Sequence, residues 1–596
     1  MAKETTYDLA KKWLDLDHDS NTRKEIQDLI DAHDEAELDR RLRHRIAFGT
    51  AGLRSSMKAG FAHINAYTIL QASEGLANYI LEQQGPILNN DRPLKIVIGY
   101  DARHNSENFA RLAAGAFLAK GLRVLWFGQM VHTPMVPFAL NLYQAAAGVM
   151  VTASHNPKAD NGYKVYWSNG SQIIPPHDQG IADAIGNVQA ITNWDDQMVD
   201  RSPFVQNILE DASALYLSSV RRLAQPQSSS PSPLVFTYTP LHVFTYTPLH
   251  GVGLSYMHKV SQFPEFCYIT MNVVDVQAHP DPDFPTLAFP NPEEKNALDI
   301  AFIEAVRNGS TIVVANDPDA DRFAVAQAIE NGRWHQFTGN QVGILLASYV
   351  LETHFNDKKP MAMLASTVSS RMLNLMAEKE NFLFKETLTG FKWLGNVAQS
   401  LQTQGYKPVF AFEEALGYMF PSVVWDKDGI AAATVFLSAW QHWHHQAGLT
   451  PFQKLQQLYA TYGFFEDANT YLMSPSPDVT ERVFMNIRAS GINGNPPSHL
   501  GKRKILRWRD LTVGYDSAQS DLKPNLPVDK TSQMITCELG DVVFTARGSG
   551  TEPKIKLYVE GTANSSAEAK AKAQEVLQDL LNEWFKPEYG LRLAGT

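Results

Sequence analysis

Two cysteines, Cys267 and Cys537, are the only thiols in 596 residues. That is too few for a disulfide framework or a thiolate metal site. No uninterrupted apolar run approaches the roughly 18 residues of a membrane span. The opening Met1-Ala-Lys-Glu-Thr-Thr-Tyr-Asp8 has no apolar signal core. These absences point to a reducing compartment, most simply the cytoplasm, and to no membrane partner. Positive charge is also short. Lys and Arg number 52 against 63 Asp and Glu, a net charge of −11, which argues against a nucleic-acid surface. A small anionic ligand is not excluded, because it feels the amides and arginines of its pocket more than the distant net charge. Nothing in the pattern sets an oligomeric state.

What is present, 44% hydrophobic and 19% charged residues, is the composition of a globular protein. The length suggests about four domains. The first forty residues read as helical, with Ser20-Asn21-Thr22 as a cap before Ile26, Leu29, Ile30 and Leu38 on one face. From Lys95 short apolar runs alternate with amphipathic stretches. Strands are expected at 95–100, 123–127 and 145–151, with helices at 108–120 and near 137–143, which is a parallel α/β pattern. A Pro/Ser-rich break, Ala224 to Pro233, precedes a second α/β unit reaching about Gly339. A third unit carries a strand at 361–365 and a helix at 369–379. After Ser474-Pro-Ser-Pro-Asp478 the runs 534–538, 542–546 and 555–559 and the helix 567–584 read as α+β. The boundaries expected are 1–224, 234–339, 340–473 and 478–596.

An exact tandem repeat stands out: Val235-Phe-Thr-Tyr-Thr-Pro-Leu-His242 recurs as 243–250. Eight residues are too few for a solenoid unit, and the even number keeps either copy on the same face of a sheet. One copy is expected to form a strand and the other to bulge into a loop.

Four clusters carry chemistry. Thr152-Ala-Ser-His-Asn-Pro157 follows the apolar stretch Ala145–Val151. Alone, Ser154 reads as a turn serine, and the nucleophile elbow G-x-S-x-G of a Ser-His-Asp hydrolase is missing. The run Thr311–Ala315 ends in Asn316-Asp-Pro-Asp-Ala-Asp-Arg322. Asp317, Asp319 and Asp321 alternate on a tight loop, which turns them toward one point. An EF-hand fails, because positions 6 and 12 hold Arg322 and Ala328. Three clustered carboxylates after a buried strand repel one another unless a cation joins them, and Mg²⁺ is the simplest occupant. Arg547-Gly-Ser-Gly-Thr-Glu-Pro-Lys554 offers amides, the hydroxyls of Ser549 and Thr551, and two cations to a phosphate monoester. It also reads as a plain Gly-rich turn, and it is not a Walker A loop. Phe412-Glu-Glu-Ala-Leu-Gly417 places paired carboxylates where vicinal sugar hydroxyls could donate; a solvated helix start is the plainer reading. A serine oxygen beside a triple-Asp loop is the pairing that metal-assisted phosphoryl transfer requires.

In this order the four clusters resemble the α-D-phosphohexomutase superfamily. Further segments match it: Phe48-Gly-Thr-Ala-Gly-Leu-Arg54, Lys158-Ala-Asp-Asn-Gly-Tyr-Lys164, Glu386-Thr-Leu-Thr-Gly-Phe-Lys392 and Asp426-Lys-Asp-Gly429. Ala51, Tyr166-Trp167, Pro282 to Thr286, Pro290 to Glu294 and the Glu-Glu-Ala loop are similar to the phosphoglucomutase-2 and phosphopentomutase branch. Ala415 departs from the serine that many glucose- and mannose-specific members carry. Gly548 departs from a larger residue.

The resemblance implies a four-domain, heart-shaped α/β protein with three related α/β domains and a smaller α+β C-terminal domain. It implies Ser154 as the phosphorylated residue, with Mg²⁺ on Ser154, Asp317, Asp319 and Asp321. Arg54, His155, Lys164 and Arg322 would be catalytic, with Lys164 or His155 as acid/base; a lysine could serve as base only with a lowered pKa. Thr389, Gly390, Lys392, Glu413, Ala415 and Lys427 would face the sugar. Arg547, Ser549, Gly550, Thr551 and Lys554 would hold the substrate phosphate. The expected activity is a mutase on a phosphorylated monosaccharide, first glucose 1-phosphate and 6-phosphate, with glucose 1,6-bisphosphate as activator and intermediate. The alternatives are a phosphopentomutase, a phosphomannomutase, a glucose 1,6-bisphosphate synthase, a haloacid-dehalogenase-type phosphatase and a silent sugar-phosphate-binding protein.

Overall fold

The computed structural model describes residues 4–47, 52–85, 93–224, 242–353, 359–548 and 554–593. The chain forms two compact units, one of 1–364 with 390–448 and one of 365–389 with 449–596. No described helix is long and apolar enough to cross a membrane.

The first unit opens with three helices, Thr6–Leu16, Ser20–Asp31 and Glu35–Leu42. Trp13, Ile26 and Leu38 are buried together, with Leu29 and Ile30 packed at the margin. The cap of the second helix is Asp19 rather than the Ser20-Asn21-Thr22 group. Its carboxylate accepts from Asn21 N at 2.8 Å, while Thr22 Oγ1 turns away to Asp17 Oδ2.

Next comes a six-stranded sheet. Its parallel core is Ala147–Val151, Lys95–Tyr100, Arg123–Trp126 and Val205–Asn207. Asp160–Trp167 and then Leu53–Ser56 extend one side antiparallel. The central strands Lys95–Tyr100 and Ala147–Val151 are nearly continuous apolar runs because helices such as Ala66–Gln84 and Ser106–Ala119 pack on them, and an α/β sheet buried on both faces needs no alternation.

The second sheet repeats the plan. His242–Thr247 lies parallel to Ile269–Val273 on one side and Ile312–Ala315 on the other, and Ala324–Ala328 returns antiparallel. The strand is formed by the second octapeptide copy together with His242; residues 235–241 of the first copy lie outside the described residues. The second copy is tied in on all sides. Tyr246 OH donates to Asn316 Oδ1 at 2.9 Å, Thr247 Oγ1 to Gln277 Oε1 at 2.7 Å, and His250 Nε2 lies 2.8 Å from Thr286 Oγ1. A third segment contributes the strand Lys407–Glu413, which pairs antiparallel with Gly417–Met419 and is followed by the helix Gly429–Ala447.

The second unit has an antiparallel sheet centred on Met534–Glu538, Val542–Gly548 and Lys554–Ala563. The helices Pro477–Arg488 and Ser566–Glu583 supply Phe484, Val576 and Leu580 to its core. This is the α+β segment that the late strand-like runs suggest.

Candidate active site

Ser154 sits three residues beyond the strand Ala147–Val151 with φ +55, a left-handed conformation that costs a non-glycine residue about 1–3 kcal/mol. Two residues beyond Ile312–Ala315, the aspartate loop meets it. Ser154 Oγ donates to Asp317 Oδ2 at 2.7 Å, and His155 Nδ1 lies 3.1 Å from Ser154 Oγ. The carboxylates of Asp317, Asp319 and Asp321 converge with ligand atoms within 4.8 Å, all buried.

Cations surround the triad. Lys164 Nζ is 2.7 Å from both Asp319 Oδ2 and Asp321 Oδ2, Lys427 Nζ is 2.6 Å from Asp321 Oδ2, and Arg322 Nε is 3.9 Å from Asp317 Oδ2. Lys164 reaches the triad because side chains alternate along a strand. Its neighbour Tyr163 points into the helical side and bonds Ser73, while Lys164 points out over the loop. Burial opposes the Lys164 charge, but Asp319 and Asp321 overcome it and its pKa is raised. The lowering that a base would need is not found. Burial also opposes charge on Asp319, yet Lys164 and Lys427 hold it well below the usual carboxylate range. At Asp317 burial and its two neighbouring carboxylates act together and push the pKa well up.

Two triad oxygens, Asp319 Oδ1 and Asp321 Oδ1, are buried with no hydrogen-bond partner among the described residues. A hard divalent cation fits this set, since all the donors are oxygen and two of them lack a ligand.

Arg54 donates to Asn156 Oδ1 at 3.4 Å on the serine loop. Burial and then the Arg322 charge pull its pKa down, and it pairs with no carboxylate among the described residues. His155 is pushed well down by burial, Arg322 and Arg54, and is neutral. Arg322 also approaches Glu293 to 3.9 Å.

From the third segment, Glu413 ends the strand Lys407–Glu413 rather than lying in a loop, and its Oε1 accepts from Gly390 N at 2.6 Å. Lys427 lies 5.8 Å from the centre of the Phe391 ring. Ala415 and Lys392 are half-buried, and Thr389 is buried in the second unit. Arg547 and Lys554 lie on the paired strands Val542–Gly548 and Lys554–Ala563 of the second unit, opposite Met534 and Met473 respectively. Ser549, Gly550 and Thr551 between them, and Phe48–Ala51 before Arg54, lie outside the described residues.

Several residues escaped the sequence reading. Thr133 donates to Asp319 Oδ2 at 2.6 Å. Gln172 Nε2 donates to Asp426 Oδ2 at 2.8 Å, and Tyr216 OH to both oxygens of Asp428, the cap of Gly429–Ala447. His132 is fully buried between Tyr216 and Tyr256, and burial pushes its pKa down to about 3. Asp101 and Arg103 follow the strand Lys95–Tyr100. The one available signal was position, since ligands gather at the carboxyl ends of parallel strands.

Family models for phosphoglucomutase/phosphomannomutase α/β/α domains I, II and III match residues 45–191, 216–329 and 338–462. The chain is 44% identical to the phosphoribomutase of Saccharomyces cerevisiae, over 97% of this chain and 96% of that protein. It is 40% identical to the phosphopentomutase of Homo sapiens, over 97% and 95%. It is 38% identical to the glucose 1,6-bisphosphate synthase of Homo sapiens, over 96% and 92%. A solved phosphoglucomutase/phosphomannomutase family protein from Burkholderia thailandensis shares the fold at 17% identity, with a TM-score of 0.62 over 92% of this chain and 99% of that one. The chain therefore belongs to the phosphoglucomutase/phosphomannomutase family, with three α/β/α domains and a C-terminal domain, and is a phosphosugar mutase of the intramolecular phosphotransferase type.

Proposed function

We propose that the chain interconverts a pentose 1-phosphate and its 5-phosphate through phosphorylated Ser154. The observation that carries the phosphoserine is Ser154 Oγ, 2.7 Å from Asp317 in a buried triad with two unpartnered oxygens. Arg54, which has no carboxylate partner among the described residues, adds positive charge beside Asn156 on the serine loop. The pentose preference is supported by the two mutase relatives, whose names specify ribose or pentose. It replaces glucose as the first substrate expected from the sequence. Unpaired Cys267 and Cys537 support a cytoplasmic setting.

Asp317, Asp319 and Asp321 would hold Mg²⁺, which when bound neutralises charge on the transferring phosphoryl group. Arg322 and Arg54 then offer charge on the protein side. Arg547, Ser549, Gly550, Thr551 and Lys554 would bind the phosphate the sugar already carries. Glu413, Lys392 and Lys427, with Thr389, Gly390 and Ala415, would orient the ring. The free sugar hydroxyl forms a bond to phosphorus as the bond to Ser154 Oγ breaks, and its proton passes to a base. Neutral His155, with Nδ1 3.1 Å from Oγ, is placed to accept the Ser154 proton when phosphate returns to that oxygen, whereas Lys164, an ammonium, can donate but not accept. The sugar bisphosphate turns over and gives its other phosphate back to Ser154, which restores the starting enzyme.

The test is a Mg²⁺-dependent assay, primed with glucose 1,6-bisphosphate, that compares ribose 1-phosphate, glucose 1-phosphate and mannose 1-phosphate. Ribose 1-phosphate should give the highest kcat/KM, and a clear lead for glucose 1-phosphate would sink the pentose reading. The relative that makes glucose 1,6-bisphosphate favours one second reading, a bisphosphate synthase. It would reveal itself as bisphosphate accumulating without mutase turnover.

A further inference from the structure

The Ser154 backbone is gripped at both of its polar atoms by one buried network. The Arg103 guanidinium donates through Nη2 to Ser154 O, and to Asn156 O at 2.7 Å. Through Nη1 it donates to Pro157 O at 3.0 Å and Asp160 O at 3.3 Å. One side chain thus satisfies four carbonyls of a single loop. On the other side of Ser154, its N–H donates to Thr152 Oγ1 at 2.8 Å, and that hydroxyl donates to Asp101 Oδ2 at 2.6 Å.

Asp101 closes the circuit. Its Oδ2 lies 3.3 Å from Arg103 Nε, and its Oδ1 accepts from Arg103 N at 3.1 Å and Ser106 Oγ at 2.6 Å. Both charged side chains are buried, 1% and 0% exposed. The outer face of the guanidinium is covered by the Phe284 ring at 5.1 Å, from a loop of the second sheet's segment. Beside it, Asp283 Oδ1 meets His104 Nε2 at 3.2 Å and Lys158 Nζ at 3.1 Å.

We infer that Arg103, braced by Asp101 and Thr152, is a positioning residue for phosphoryl transfer, holding Ser154 in its left-handed conformation so that Oγ meets the metal-binding triad. It acts through the backbone and touches no reacting atom. Only a guanidinium suits the task, because its planar fork presents five donors in fixed directions. A lysine ammonium has three donors and cannot serve four carbonyls at once. A loop free to relax toward negative φ would swing Oγ away from Asp317, and an error of about 1 Å in a reacting atom costs about 10²-fold in rate. Cover by Phe284 links the position of the serine loop to the segment that carries the aspartates.

This rests on Ser154 as the phosphate carrier, so the experiment reads that residue directly. The full-length dephosphorylated enzyme is mixed with glucose 1,6-bisphosphate and Mg²⁺. Single-turnover phosphate uptake is followed by intact mass, beside steady-state kcat and KM. Arg103→Met should slow uptake about 10²-fold while KM stays within about threefold, and Arg103→Lys should recover part of the rate. If Arg103→Met fails to fold, Thr152→Val opens the other side of the grip at constant shape. It should slow uptake in the same way, and Thr152→Ser should restore it. Uptake per folded molecule at the wild-type rate in these variants, or a loss carried entirely by KM, would overturn the inference. Wild-type enzyme whose phosphate lands elsewhere than on Ser154 would overturn both it and the phosphoserine reading. Wild-type uptake on Ser154 with no effect of the variants would overturn the inference alone.

Discussion

The serine loop and the aspartate loop share one plan and differ in what surrounds them. Each leaves the carboxyl end of a buried parallel strand, holds a non-glycine residue at positive φ (Ser154 at +55, Ala320 at +51) and returns as an antiparallel strand. The third segment has the same outline, from Glu413 through Leu416 at φ +60 into Gly417–Met419. In the serine loop a cation, Arg103, grips the backbone from behind, and the side chain that faces the site is neutral. In the aspartate loop the charge is on the facing side chains, and the neutralising Lys164, Lys427 and Arg322 come from three separate stretches of chain. The backbone of the aspartate loop is held by neutral contacts: Thr133 N to Asp319 O at 2.9 Å, Val252 N to Pro318 O at 2.9 Å and Gly429 N to Ala320 O at 3.2 Å. Topology thus supplies the location, and the partners decide whether it serves an anion or a cation.

The comparison is broken most severely at the serine. Ser154→Ala should reduce mutase turnover to background while thermal unfolding stays near wild type. Retained turnover would end the phosphoserine mechanism. Asp319→Asn attacks the other loop. It removes one charge from the triad and leaves Lys164 and Lys427 over-matched, so Mg²⁺ affinity should fall at least about 10- to 100-fold, the loss typical even for outer partners of a metal site. A Mg²⁺ titration of the initial rate measures it, and an unchanged midpoint would place the metal elsewhere.

A smaller effect separates the backbone supports. A Cβ on Gly251 would lie 2.3 Å from Pro318 Cα and from Pro318 O, so Gly251→Ala has to push the aspartate loop. It should cost about 1–3 kcal/mol by urea unfolding and weaken Mg²⁺ binding, without the collapse of turnover seen for Ser154→Ala.

The smallest effect concerns His132, which adjoins the Thr133 that ties the first sheet to Asp319. The folded state keeps this imidazole neutral down to about pH 3 against an ordinary value of 6.5. The unfolded chain takes up the proton first, so its contribution to stability falls as pH drops from 6.5 toward 3. At pH 5 the loss is about 2 kcal/mol. His132→Phe should flatten that slope between pH 7 and pH 5 in urea melts.

The strands at 95–100 and 534–538 were legible to the residue, because buried parallel and sheet-core runs are largely apolar, with Lys95 and Glu538 marking an end of each. So were the serine and aspartate clusters, since phosphoryl chemistry concentrates distinctive residues within a few positions. Lys164 and Lys427 came only through family likeness, and their contact with the triad is set by chain pairings that no local pattern records. Arg103 was not legible, because a strand followed by Asp-Ala-Arg reads as an ordinary turn and its four acceptors lie more than fifty residues away. The Asp19 cap was missed for a smaller reason: Ser, Asn, Thr and Asp all cap well, and side-chain competition decided among neighbours.

The doubled octapeptide has a practical reading. Its second copy builds the strand and runs straight into Gly251, whose missing side chain lets Pro318 close in, so extra length on that side would collide with the aspartate loop. A fluorescent reporter or an affinity tether inserted after His250 would therefore report mainly on a broken enzyme.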